Sequence, residues 1–149
     1  MTEDNHTWAI PRRMLSLELR LGKPVVYDII RKRWVNYTPE EAVRQQVLRH
    51  LVEDYRCAPG RIGVEKTIAY HGQKKRFDIV VFDKTGSPWL LIECKSPHVA
   101  LDESTAMQIA RYNVQIQAPF LALVNGRSWW FFRKNELGGF EFVPEGWVS

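Results

Sequence analysis

The spacing of hydrophobic residues changes along the chain, and each change marks a predicted element. Between Thr38 and Tyr55 the apolar positions recur every three or four residues. Val43, Val47, Leu48, Leu51 and Tyr55 mark one face of a helix. Thr38 suits its N-cap, Pro39 its first position, and "CAPGR" its end. Before it, "LSLELRL" and "PVVYDII" are short β-like runs separated from the helix by a basic cluster, Arg31-Lys32-Arg33. After it the period shortens, predicting strands over 62–70, 76–82 and 89–95, with breaks at "HGQKK" and "DKTGS". A second helix is expected over 103–117 with Asp102 as its cap. The runs "FLALV" and "SWWFFR" around an Asn-Gly turn predict a hairpin, and a last short strand falls at 140–143. A helix, three strands, a helix and further strands give an α/β fold with a mixed sheet and helices packed on it.

Two of the predicted strands carry acids where buried strands carry none. Asp78 interrupts "FDIVVF" and Glu93 interrupts "WLLIECK". With residues 84–87 as a four-residue hairpin loop, Phe82 faces Trp89, Val80 faces Leu91 and Asp78 faces Glu93. Directly opposed residues have Cβ atoms roughly 4.5–5.5 Å apart, and like charges there repel. A divalent cation between the carboxylates is the simplest compensation, and hard oxygen donors suit Mg²⁺ or Mn²⁺. Lys95 shares the face of Glu93, and Cys94 points the other way into the core.

Composition removes several classes. The chain has 149 residues, 45% hydrophobic and 26% charged, enough for one ordinary globular domain. That domain is expected to span 1–149, with a core over about 38–133 and a β-rich extension over 1–37. The longest apolar runs are too short to cross a bilayer, and "MTEDNHTWAI" has no apolar stretch of signal-peptide type. The two cysteines, Cys57 and Cys94, have neither zinc nor disulfide spacing, so a cytoplasmic setting is expected. His50, His71 and His98 lack partners at metal spacing. There is no phosphate loop of P-loop type. A net charge of +4 and a pI near 9.2 suit a polyanionic partner without requiring one.

Asp78, Glu93 and Lys95 resemble the PD-(D/E)xK nuclease signature, in which an acid on one strand precedes Glu-x-Lys on the next. Phe77 stands where that signature places a proline. Gln108 and Tyr112 add a Gln-x-x-x-Tyr spacing that some members of the superfamily carry. With "IRKRWVNYTPEEAVRQQVLRHL", "RFDIVVF" and "LIECKSP", residues 25 to 130 resemble the N-terminal nuclease domain of type I restriction enzyme R subunits. The resemblance implies a restriction-endonuclease-like mixed central sheet flanked by helices, with an α-β-β-β-α-β core. It implies a Mg²⁺- or Mn²⁺-dependent deoxyribonuclease that hydrolyses phosphodiesters. Asp78, Glu93 and the backbone carbonyl of Cys94 would hold the metal. Lys95 would orient the attacking water or stabilise developing charge. Gln108 would position Lys95 or a phosphate oxygen.

The implied partners are DNA and either a second copy of the chain or a larger restriction or repair complex, with no membrane. Tyr112, Lys74, Lys75 and Arg76 are the candidate nucleic-acid contacts. Glu41 has two readings: superfamily members often carry an acid on the first helix, and Thr38-x-x-Glu41 is also a capping box. Lys95 paired with Glu93 or Asp78 would suit a different protein, a nuclease-fold module that binds nucleic acid or a partner without catalysis. Trp129 to Phe132 could stack on bases, although a hairpin packing its aromatics in the core explains them more simply.

Overall fold

A computed structural model describes residues 12–146. Near its start, β1 (Leu17–Arg20), β2 (Lys23–Asp28) and β3 (Arg33–Asn36) form a small antiparallel sheet in that order. The helix α1 (Pro39–Glu53) follows, then a single 3-10 turn at Pro59–Arg61. The main sheet contains β4 (Ile62–Tyr70), β5 (Gln73–Phe82), β6 (Pro88–Cys94), β7 (Phe120–Val124), β8 (Trp129–Lys134) and β9 (Phe140–Phe142) in sequential order. All neighbours are antiparallel except β6 and β7. That parallel pair needs a crossover, which α2 (Glu103–Tyr112) supplies. This is the expected mixed sheet flanked by helices.

Both faces of the sheet are covered, so its central strands read as continuous apolar runs. Val43, Val47, Leu48 and Leu51 of α1 pack with Leu90, Ile92, Ala122 and Val124 on one face. Ala106 and Ala110 of α2 pack with Leu91, Leu121 and Leu123 on the other. The aromatic hairpin serves both: Phe131 is buried on the α1 side and Phe132 on the α2 side, with Trp129 and Trp130 half-buried beside them. Cys94 is buried, as expected, and burial pushes its thiol pKa well up.

Four local expectations need correction. First, α2 ends at Tyr112, not at 117, because Asn113 folds its side-chain Nδ2 back onto the Ile109 carbonyl and breaks the helix. Second, β5 begins at Gln73 and not at Arg76, so Gln73, Lys74 and Lys75 are strand residues and not part of a loop. His71 and Gly72, both at positive φ, form a two-residue turn that pairs Tyr70 with Gln73. Third, Phe82 faces Pro88 and not Trp89. Asp83 gathers the Thr85 and Ser87 N–H groups into a longer loop, and Trp89 bulges out against Phe120. Fourth, β7 and β8 are joined by the four residues 125–128, where Asn125 Oδ1 accepts from the N–H groups of Arg127 and Ser128. A two-residue Asn-Gly turn is therefore not formed.

Candidate active site

The pairing of β5 with β6 runs Val81–Leu90, Val80–Leu91 and Ile79–Ile92, the register expected from the sequence, and stops there. The next position is Asp78 opposite Glu93. Instead of extending the ladder, Asp78 Oδ2 accepts the Cys94 backbone N–H at 2.7 Å. The two carboxyl groups are neighbours close enough to interact. Burial, then the charge of Asp78, pushes the Glu93 pKa up to about 7, against a counter-pull from Lys75 and Lys95. Below that value Glu93 is protonated, which removes the repulsion between the pair.

A kink on the far side of β5 aims Asp78. In β4, Ile62 and Val64 pack on the α1 side, whereas Ile68 packs on the α2 side. In β5, Ile79 and Val81 pack on the α1 side, whereas Phe77 packs on the α2 side. Strand alternation would keep each of these sets on one face. Both strands therefore turn over between these positions, where Glu65 stands opposite Asp78 in an otherwise constant register. Glu65 has φ 56°, a left-handed backbone that is rare for a residue with a side chain.

The turnover is lined by charge. Glu65 Oε1 lies 3.1 Å from Arg76 Nη2 and 3.4 Å from Arg44 Nη1, and its Oε2 lies 3.8 Å from Arg31 Nη1. Arg44 Nη1 is also 4.0 Å from Asp78 Oδ1. Burial would lower the Arg44 pKa, but Glu41, Asp78 and Glu65 outweigh it and keep the guanidinium charged. Behind them Asp28 is fully buried. Burial alone would raise its pKa, yet hydrogen bonds from Arg31, Gln45 and the Ile30 N–H hold it below the ordinary range.

Glu41 belongs to this network. Its backbone N–H donates to Thr38 Oγ1, completing the N-cap. Its carboxylate accepts from Arg31 Nη2 at 3.1 Å and from Gln45 Nε2 at 3.0 Å, and it stands 3.1 Å from Arg44 Nε.

The remaining candidates are spread over two regions. Lys95 lies just past β6, half-buried, its N–H donating to the Val124 carbonyl. Lys74, Lys75 and Tyr112 come together around a cavity of about 190 Å³ between the start of β5 and the end of α2. Tyr112 is 80% exposed there. Gln108 is exposed on α2, and among the described residues no hydrogen bond joins it to Lys95. Sequence reasoning passed over Arg44 and Glu65 and saw Arg31 only as part of a basic cluster. Counting across the His71-Gly72 turn would have found Glu65, because facing residues there sum to the same value as 65 and 78.

A family model described as "Type I restriction enzyme R protein N terminus (HSDR_N)" matches residues 39–145. The chain belongs to this family. No curated protein matches it significantly. Among solved structures, a candidate nuclease belonging to DUF820 from Anabaena variabilis aligns over 94% of this chain and 84% of its own, at 16% identity and a TM-score of 0.46. At that score the likeness decides nothing about mechanism. Within the restriction-enzyme R family member described here, α1, Asp78, Glu93 and Lys95 all fall inside the matched segment. No helix among the described residues is long and apolar enough to cross a membrane.

Proposed function

We propose that the chain is a divalent-metal-dependent DNA endonuclease domain of restriction-enzyme type. One observation carries the reading: in a restriction-enzyme R family chain, two carboxyl groups meet where β5 and β6 splay apart. Among the described residues no three His, Cys, Asp or Glu side chains form a metal cluster, so a cation here would take two carboxylates and a backbone oxygen. The donor set fits Mg²⁺ or Mn²⁺, because both acids are hard oxygen donors and a cation would release the proton that burial and Asp78 place on Glu93. Asp78 and Glu93, with the Cys94 carbonyl, would hold the ion. When bound, such an ion polarises a phosphodiester and lowers the pKa of its water.

The chain's own groups would do the rest. The Cys94 N–H fixes Asp78 in place. Lys95 would lend its charge to the phosphorane-like transition state. Tyr112, Lys74, Lys75 and Arg76 would contact the strand of DNA, and Gln108 would meet it from the exposed face of α2. A larger restriction complex or a second copy of the chain would supply what this domain lacks.

A second reading, a nuclease-fold module that binds without cutting, has one observation in its favour. The cation of Arg44 faces Asp78, so the acids already have an internal counter-charge. A cleavage assay separates the two. Supercoiled, linear and single-stranded DNA are incubated with Mg²⁺, with Mn²⁺ and with chelator. Cleavage by the wild type with metal, and none by Asp78→Asn, is the expected result. DNA binding with no cleavage of any form under either metal would leave the second reading.

A further inference from the structure

We infer that Arg44 and Arg76, flanked by Arg31, form a binding site for a backbone phosphodiester of the nucleic acid, and that Glu65 occupies it in the free protein. This rests on the nuclease reading and names a part of the substrate that the reading leaves open.

Three arginines converge on one carboxylate within 3.1–3.8 Å. A carboxylate and a phosphodiester each present two oxygens to a guanidinium fork, so whatever holds the one can hold the other. Arg44 is not satisfied by what it has. The Arg44 side chain is 7% exposed, yet its Nε and Nη1 make no well-directed hydrogen bond. Glu65 is the weak member of the group. It is 35% exposed, and it reaches the arginines only from a left-handed backbone. Arg76 is 65% exposed and lies on β5 two residues before Asp78, so an entering strand meets it next to the acid pair. A phosphate that displaces Glu65 would therefore take up the unsatisfied Arg44 Nη1, relieve the backbone and sit beside the candidate catalytic acids.

The experiment reads DNA affinity, not cleavage. A fluorescent duplex is titrated in chelator at several salt concentrations with wild type, Glu65→Gln, Arg76→Ala and Glu141→Gln. The last removes an arginine-paired acid at the β9 edge and controls for net charge. Glu65→Gln is expected to bind more tightly than wild type, and more tightly than Glu141→Gln. Arg76→Ala is expected to bind more weakly, with a salt slope shallower by about 0.9, the release belonging to one phosphate. A fourfold dilution of salt would then strengthen its binding about 3.5-fold less than that of wild type. Arg76→Ala is exposed and keeps the test alive if Glu65→Gln does not fold.

An unchanged slope and affinity for Arg76→Ala overturns the inference, as does an equal gain from Glu65→Gln and Glu141→Gln. Absence of DNA binding by wild type and all variants overturns it too. Cleavage with unshifted slopes removes this site and leaves the nuclease reading. Shifted slopes with no cleavage under any metal do the reverse.

Discussion

At the scale of single residues the site is a set of charges whose neighbours fix their states. Glu93 has a folded pKa of about 7 against an ordinary 4.5. The folded protein therefore binds a proton there that the unfolded chain releases, and the resulting stability is present at acid pH and lost as pH rises through about 7. Asp28 works in the opposite sense in a lower window: its folded pKa lies below 3.8, so its stabilisation is lost only as pH falls beneath that value. Thermal melts in chelator should show wild type less stable at pH 8 than at pH 5.5, with Glu93→Gln nearly level between them; a level wild-type profile would remove the proton from Glu93. Glu41 gives a second test. As a capping residue alone it could become glutamine with no penalty, because an amide oxygen also accepts a hydrogen bond. Its carboxylate instead lies buried between Arg31 and Arg44. Removing one partner from a buried pair costs about 3 kcal/mol or more. Denaturant unfolding of Glu41→Gln should show a loss of that order, and wild-type stability would return Glu41 to the cap.

At the scale of elements, regular physics was legible in the sequence and irregular physics was not. The strand β4 was expected over 62–70 and is found there, because a run rich in β-branched residues lies between two turn signals. Thr38 and Asp102 cap their helices as their chemistry requires. The pair Val80–Leu91 followed from loop arithmetic, but Phe82 did not, since nothing in "DKTGSPW" announces that Trp89 bulges. The end of α2 depended on one Asn side chain turning back. The turnover at Glu65 was least legible, because alternation rules assume an unbroken strand and glutamate is not a residue that advertises a left-handed backbone. Gly63 exposes the consequence. A Cβ there would lie 2.5 Å from Lys66 Cγ, a contact three residues along that a straight strand could not make. Gly63→Ala should therefore destabilise the protein by roughly 1–3 kcal/mol, as overpacking does. Lys66→Ala in the same chain should restore most of that loss. Equal losses in the single and double variants would place the strain elsewhere.

At the scale of the whole molecule, the sheet brings the middle of β5 and the end of β6 between two helices, and the acids there are partly buried by the same packing that makes them costly. Binding of a cation by the folded protein alone would convert that cost into stability. At a hundred times its dissociation constant, one bound ion adds about 2.7 kcal/mol. For a chain of this size that is a rise of roughly 5–11 °C in Tm. Mn²⁺ should produce such a rise in wild type and none in an Asp78→Asn, Glu93→Gln double variant, whose oxygens remain but whose charge does not; equal shifts would place the ion elsewhere. Lys95 separates binding from turnover. It lies beyond the last residue of β6 and half in solvent, so its loss should leave the fold and the Mn²⁺ shift intact. If its charge is used only as the phosphate reacts, Lys95→Ala should cleave DNA roughly 10²–10³-fold more slowly at unchanged DNA affinity. A variant that melts early with normal turnover would instead make Lys95 a structural counter-ion to the acid pair, and the nuclease would then have to stabilise its transition state with other cations, of which Lys75, the other lysine that pulls on the Glu93 proton, is nearest at hand.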